Sequence, residues 1–204
     1  MARFAVSIIA VIIGFGIRSA AAQNETELAE SYKLQASDLA ASIKAMRKVV
    51  DAAPSSYFPR LRFGYLSSLA GDPAGALAAY RAAAKLAPGA IEPLLGVQLA
   101  LVTLGKWDEA EATAKQILAI DSANYLARSR LAWTRYKKKE FRAAAELYAA
   151  IVVQYPGDTE MRNGLGWSLL ALGRKDDAAA AFREVLAMVP KQANATEGLA
   201  SATR

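Results

Sequence analysis

Residues 57–192 can be written as four lines of equal length: YFPRLRFGYLSSLAGDPAGALAAYRAAAKLAPGA (57–90), IEPLLGVQLALVTLGKWDEAEATAKQILAIDSAN (91–124), YLARSRLAWTRYKKKEFRAAAELYAAIVVQYPGD (125–158) and TEMRNGLGWSLLALGRKDDAAAAFREVLAMVPKQ (159–192). Each line has 34 residues, and the lines align without insertion or deletion. The seventh column is apolar throughout: Phe63, Val97, Leu131 and Leu165. The eighth (Gly64, Gln98, Ala132, Gly166) and the twentieth (Ala76, Ala110, Ala144, Ala178) are mostly small, which lets two helices approach closely. The fifteenth reads Gly71, Gly105, Lys139 and Gly173, a place where a helix ends in a left-handed residue. The twenty-fourth is Tyr80, Ala114, Tyr148 and Phe182. The thirty-second is Pro88, Ser122, Pro156 and Pro190; proline lacks the N–H that a continuing helix needs. Self-similarity at this period predicts stacked helix pairs, each too small to bury its apolar face alone.

This pattern resembles the tetratricopeptide repeat, a helix–turn–helix unit of the same length. The resemblance implies an all-α fold, a right-handed superhelical solenoid of antiparallel helix pairs. One column departs from the family: the bulky aromatic of column four is here Arg60, Leu94, Arg128 and Arg162, so packing there must use arginine stems or other residues.

Working outward, residues 23–56 keep the phase of the repeat but lose most of its signature, with Pro54 at column thirty-two and Glu30 and Ser42 at the columns that are small elsewhere. They read as a degenerate N-terminal repeat that caps the stack. Asn24 followed by Glu27 forms a capping-box pattern for its first helix, and Ser37 is placed to cap the second. Residues 193–204 begin a further first helix, with Leu199 and Ala200 in columns seven and eight, and then stop, as a closing helix would.

Residues 1–22 read as a signal peptide: Arg3 at the start, an apolar run from Phe4 to Ile17, and Ala20-Ala21-Ala22 before Gln23. The run would rise about 21 Å as a helix, short of a hydrocarbon core of roughly 30 Å. Cleavage and export, to the periplasm in a bacterium, are therefore expected; Arg18 beside the cleavage site leaves an uncleaved membrane anchor as the alternative. Without the leader the formal charge falls from +6 to 23 basic against 19 acidic residues, a mild excess that argues for no nucleic-acid partner.

The chain has no cysteine and no histidine, which removes thiolate nucleophiles, imidazole bases and imidazole or thiolate metal ligands. No phosphate-binding glycine loop is present, and neither a catalytic site, a metal nor a cofactor is expected. Function is expected to lie in binding. In the family, columns two, five, nine and twelve of the first helices line the concave face. The resemblance therefore implies a partner-binding surface made of Phe58, Leu61, Tyr65, Leu95, Leu99, Val102, Leu126, Trp133, Tyr136, Asn163, Trp167 and Leu170. Family members that clamp a C-terminal carboxylate place lysine at column five and asparagine at column nine of one repeat; Leu61 and Tyr65 stand there, against that mode. Aromatic columns suit a protein or peptide partner that brings an apolar or amphipathic segment. A glycan stacked on Tyr65, Trp133, Tyr136 and Trp167 is the second reading, and self-association through the ends of the stack a third.

Overall fold

The computed structural model describes residues 23–204, and among these every regular element is a helix. They are α1 (23–34), α2 (Leu39–Ala52), α3 (Tyr57–Leu69), α4 (Pro73–Leu86), α5 (Ile91–Thr103), α6 (Trp107–Ile120), α7 (Tyr125–Lys137), α8 (Phe141–Gln154), α9 (Thr159–Ala171), α10 (Lys175–Met188) and α11 (Ala193–Ala202). The signal-peptide reading falls outside the described residues. No helix among them is long and apolar enough to cross a membrane. The chain divides into two compact units, one ending at Gly96 and the other beginning at Val97.

The helix ends follow from the residues that recur. Gly71, Gly105 and Gly173 have φ of +72°, +70° and +76°, and Lys139 takes the same conformation at +63°. Around each, two backbone bonds close the helix. After α3, Gly71 N–H donates to Ser68 O at 3.1 Å and Asp72 N–H to Ser67 O at 2.9 Å; after α7, Lys139 N–H donates to Tyr136 O and Glu140 N–H to Arg135 O, each at 2.9 Å. This is the left-handed helix terminus that glycine adopts without steric cost and lysine does not. The starts of α4, α7, α9 and α11 are capped by side chains: Asp72, Asn124, Asp158 and Gln192 accept from the N–H groups of Gly75, Ala127, Met161 and Ala195.

In the first unit the N-terminal caps differ from expectation. Residue 23 is already helical, so Asn24 lies inside α1 and opens nothing; Glu27 instead meets Lys48 at 2.5 Å. Asp38, not Ser37, caps α2, accepting from Ala41 N–H at 2.9 Å. Its longer carboxylate arm sits one residue nearer the helix. α1 packs through Ser31 rather than Glu30: Ser42 Oγ donates to Ser31 O at 2.6 Å, and both serines are fully buried. Met46, Val49 and Leu66 form the core of this unit, with Leu28, Leu39, Ile43 and Phe63 against them.

One device recurs in the packing. The ring at column twenty-four sits against the backbone of first helices. A Cβ on Gly64 would lie 2.8 Å from the Tyr80 ring, and one on Gly96 2.5 Å. Gly166 and Gly198 relate to Phe182 in the same way, at 2.7 and 2.3 Å. Where the ring is replaced by Ala114, column eight is the larger Gln98, buried, with its amide donating to Ala127 O at 3.1 Å. Small and large thus exchange places across the helix pair, which keeps the interior filled.

Candidate functional site

Within the second unit the first helices α7, α9 and α11 are neighbours, α9 touching both others. Their common side borders a cavity of about 760 Å³, the size of a ligand site. Trp133 and Tyr136 come from α7, Asn163 and Trp167 from α9, and Asn194 and Glu197 from α11; Tyr148 of α8 closes one wall.

The aromatic groups are held in place by their neighbours. Trp133 stacks on Tyr136 with centroids 5.7 Å apart and planes at 14°, and Tyr136 meets the edge of Phe141 at 5.4 Å. Trp167 leans edge-on against the buried Phe182 at 5.4 Å, and its indole N–H donates to Asn194 Oδ1. Trp133 is 42% exposed. Lys137 places its ammonium 5.2 Å from the Trp133 centroid, a cation–π contact. Tyr148 is almost fully buried, and burial pushes its hydroxyl well above the usual range, with Tyr136 adding to the effect.

The expected surface residues divide among these surroundings. Trp133, Tyr136, Asn163 and Trp167 come together around the cavity. Leu126 and Leu99, in the same unit, are exposed, and Val102 and Leu170 half-buried, but none of these lines it; Leu170 packs on the Phe182 core. In the first unit Phe58 and Tyr65 are exposed, while Leu61 and Leu95 are half-buried. Asn163 is the surprise: it is only 2% exposed, and neither its Nδ2 nor its Oδ1 has a partner among the described residues. Glu197, Asn194 and Tyr148 were not among the expected site residues. Glu197 stands at column five of the helix after the last full line, so continuing the columns into α11 would have found it.

At the α7–α8 turn lies an ion cluster. Glu111 receives Lys115 at 2.7 Å, and Arg135 and Lys138 each at 2.8 Å. Lys138 also reaches Asp108 at 2.8 Å, and Arg135 pairs with Glu140. The hydrogen bonds from Lys115 and Lys138 hold the Glu111 carboxyl down to about 2. The cluster ties α6 to the end of α7 and the turn that follows it.

The lining offers ring faces, two carboxamides and carboxylates at the rim. No group of three or more metal-ligating side chains converges among the described residues.

Two models of the tetratricopeptide repeat match the sequence, over residues 101–167 and 163–203. No curated protein matches it. Among solved structures, a MamA fragment (41-end) from Desulfovibrio magneticus RS-1 superposes with a TM-score of 0.78 at 14% identity, over 84% of this chain and 97% of that one. Another crystal structure of MamA protein gives 0.75 at 20% identity, over 84% and 94%. YrrB, described as a TPR protein with an unusual peptide-binding site, gives 0.66 at 23% identity, over 78% and 82%. At these identities the likeness is one of fold. A helix period of 34 residues, family matches that run without a gap from 101 to 203, and neighbours of the same architecture make this chain a tetratricopeptide-repeat protein.

Proposed function

We propose that the chain is an exported binding scaffold that takes an apolar or amphipathic segment of a protein partner, one that takes part in assembling the cell envelope. The reading of residues 1–22 as a leader supports export. The observation that carries the binding role is the cavity beside α7, α9 and α11, where Trp133, Tyr136 and Trp167 present ring surface braced from behind by Phe141 and Phe182. Pre-positioned aromatic surface is what interfaces use as anchors, because little side-chain freedom is lost on binding. Each ring that becomes fully covered contributes on the order of 1.5–3 kcal/mol. The peptide-binding site described for YrrB, a neighbour of the same fold, is consistent with this use.

A photo-crosslinking residue at position 133, in the full chain expressed in its native host, is expected to trap a protein. The same residue in place of Val153, which is 82% exposed on α8, is expected to trap none. Equal trapping at both positions contradicts the proposal. So does saturable oligosaccharide binding that Trp133→Ala abolishes when no protein is trapped. Fractionation and N-terminal sequencing test export: the mature chain is expected to begin at Gln23.

A further inference from the structure

Among the described residues that line the cavity, Asn163 alone has buried polar atoms without a partner. Such burial is unfavourable, since the amide gives up its water and gains nothing in return. The repeat does not require it. In the other three full repeats the same column holds Leu61, Leu95 and Ser129, two of them apolar and the third satisfied by donating its hydroxyl to Leu126 O at 3.2 Å. An asparagine that the fold can replace, kept unpaired beside an aromatic cavity, is provision for an occupant. A primary carboxamide offers one donor and one acceptor side by side. Its complement is a secondary amide, and an extended main chain presents one at every residue.

The charge at the rim narrows the occupant. Glu160 and Glu197 are both exposed there. Arg130 is the one basic side chain in the lining, and it is already held in interactions of its own. Two carboxylates beside three aromatic rings favour a cation on electrostatic grounds.

We propose that the cavity takes an extended peptide segment bearing a lysine or arginine. Asn163, turned about χ2, pairs with a main-chain amide. The basic side chain lies along the Trp133 and Trp167 rings and ends between Glu160 and Glu197. This rests on the peptide-binding reading above and adds its specificity.

The test uses the full chain and fluorescein-labelled peptides of sequence Gly-Ser-Leu-X-Leu-Ser-Gly, with X lysine, arginine, leucine or glutamate, measured by anisotropy. The lysine and arginine peptides are expected to bind about tenfold tighter than the leucine peptide and tighter still than the glutamate peptide. Glu160→Gln with Glu197→Gln is expected to bring that preference below about threefold. Asn163→Leu is expected to weaken the lysine peptide about tenfold while raising Tm, because an apolar side chain replaces an unpaired buried amide. Asn163→Ser provides the same readout should leucine overfill the site. Equal affinity for the leucine and lysine peptides overturns the basic specificity and leaves the peptide-binding reading standing. Unchanged affinity with a lowered Tm in Asn163→Leu overturns the role of Asn163. Failure of every peptide, with saturable binding of an N-acetylglucosamine oligomer, overturns both.

Discussion

Phe182 of the α9–α10 pair lies between Gly166 and Gly198, in an apolar cluster with Leu169, Val185 and Ala195. One pair earlier, Tyr148 of α7–α8 lies between Ala132 and Gly164, against Tyr136, and borders the cavity. The parts match column for column, but the surroundings do not. The α9–α10 pair packs Phe182 into an apolar cluster and ends its first helix on Gly173 at +76°. The α7–α8 pair ends on a strained Lys139, carries the ion cluster, and keeps its aromatic surface open. The difference teaches that one packing device serves two ends. Within an apolar cluster it holds the chain together; at the edge of the cavity it also frames a place for another molecule.

Removing the rings should break this contrast most sharply. Phe182→Ala is expected to cost about 3–5 kcal/mol in urea unfolding, and Tyr148→Ala a comparable amount, because both rings are buried; only the tyrosine change should also enlarge the cavity that its ring borders. Gly198→Ala, whose new carbon would meet Phe182 at 2.3 Å, should cost about 1–3 kcal/mol. That penalty should vanish in a Phe182→Ala background; an unchanged penalty in the double mutant would show that the ring is not what glycine accommodates.

The ion cluster between α6 and the α7–α8 turn should also respond to acid. Glu111 ordinarily titrates near 4.5 and is held at about 2 in the folded chain. A depressed carboxyl contributes stability that is fully present above its unfolded value and is lost as the pH falls through the folded one. Stability should therefore decline between about 4.5 and 2, by on the order of 1 kcal/mol from this group after solvent screening. Glu111→Gln should flatten that limb of the pH–stability curve and lower stability at neutral pH; a limb unchanged by the substitution would refute the assignment.

A smaller effect exchanges the turns. Lys139→Gly is expected to stabilise by about 0.5–1 kcal/mol, since glycine removes the left-handed strain, whereas Gly173→Ala should lose about as much. Thermal melts of the two variants should move in opposite directions.

Much of this was legible before any coordinates. The glycines of column fifteen announce the positive φ by their spacing alone, and Lys139 by standing in their column. The ring at column twenty-four was visible, but its sockets at column six were not. That column reads Arg62, Gly96, Arg130, Gly164 and Gly198. The readable signal was size: glycine follows Tyr80, Tyr148 and Phe182, and arginine follows Met46 and Ala114. The arginines of column four stand where the family places a packed aromatic, and their stems were expected to pack in its place. Instead, Arg60 Nε–H donates to Pro54 O at 2.6 Å and Arg162 to Pro156 O at 2.8 Å, closing carbonyls that proline had left behind. Asn163 illustrates the limit of pattern. Its column marks a helix face, but whether an amide on that face is wet, paired or sealed depends on neighbours dozens of residues away in sequence.

The most direct test of a docking surface beside α7, α9 and α11 is a two-dimensional NMR titration of the full chain with the lysine peptide, following the indole N–H signals. The chain has three tryptophans, so one serves as an internal control. The account predicts that Trp133 and Trp167 shift saturably while Trp107 stays in place. Movement of Trp107 with the other two unmoved, or no movement at any indole, would contradict it.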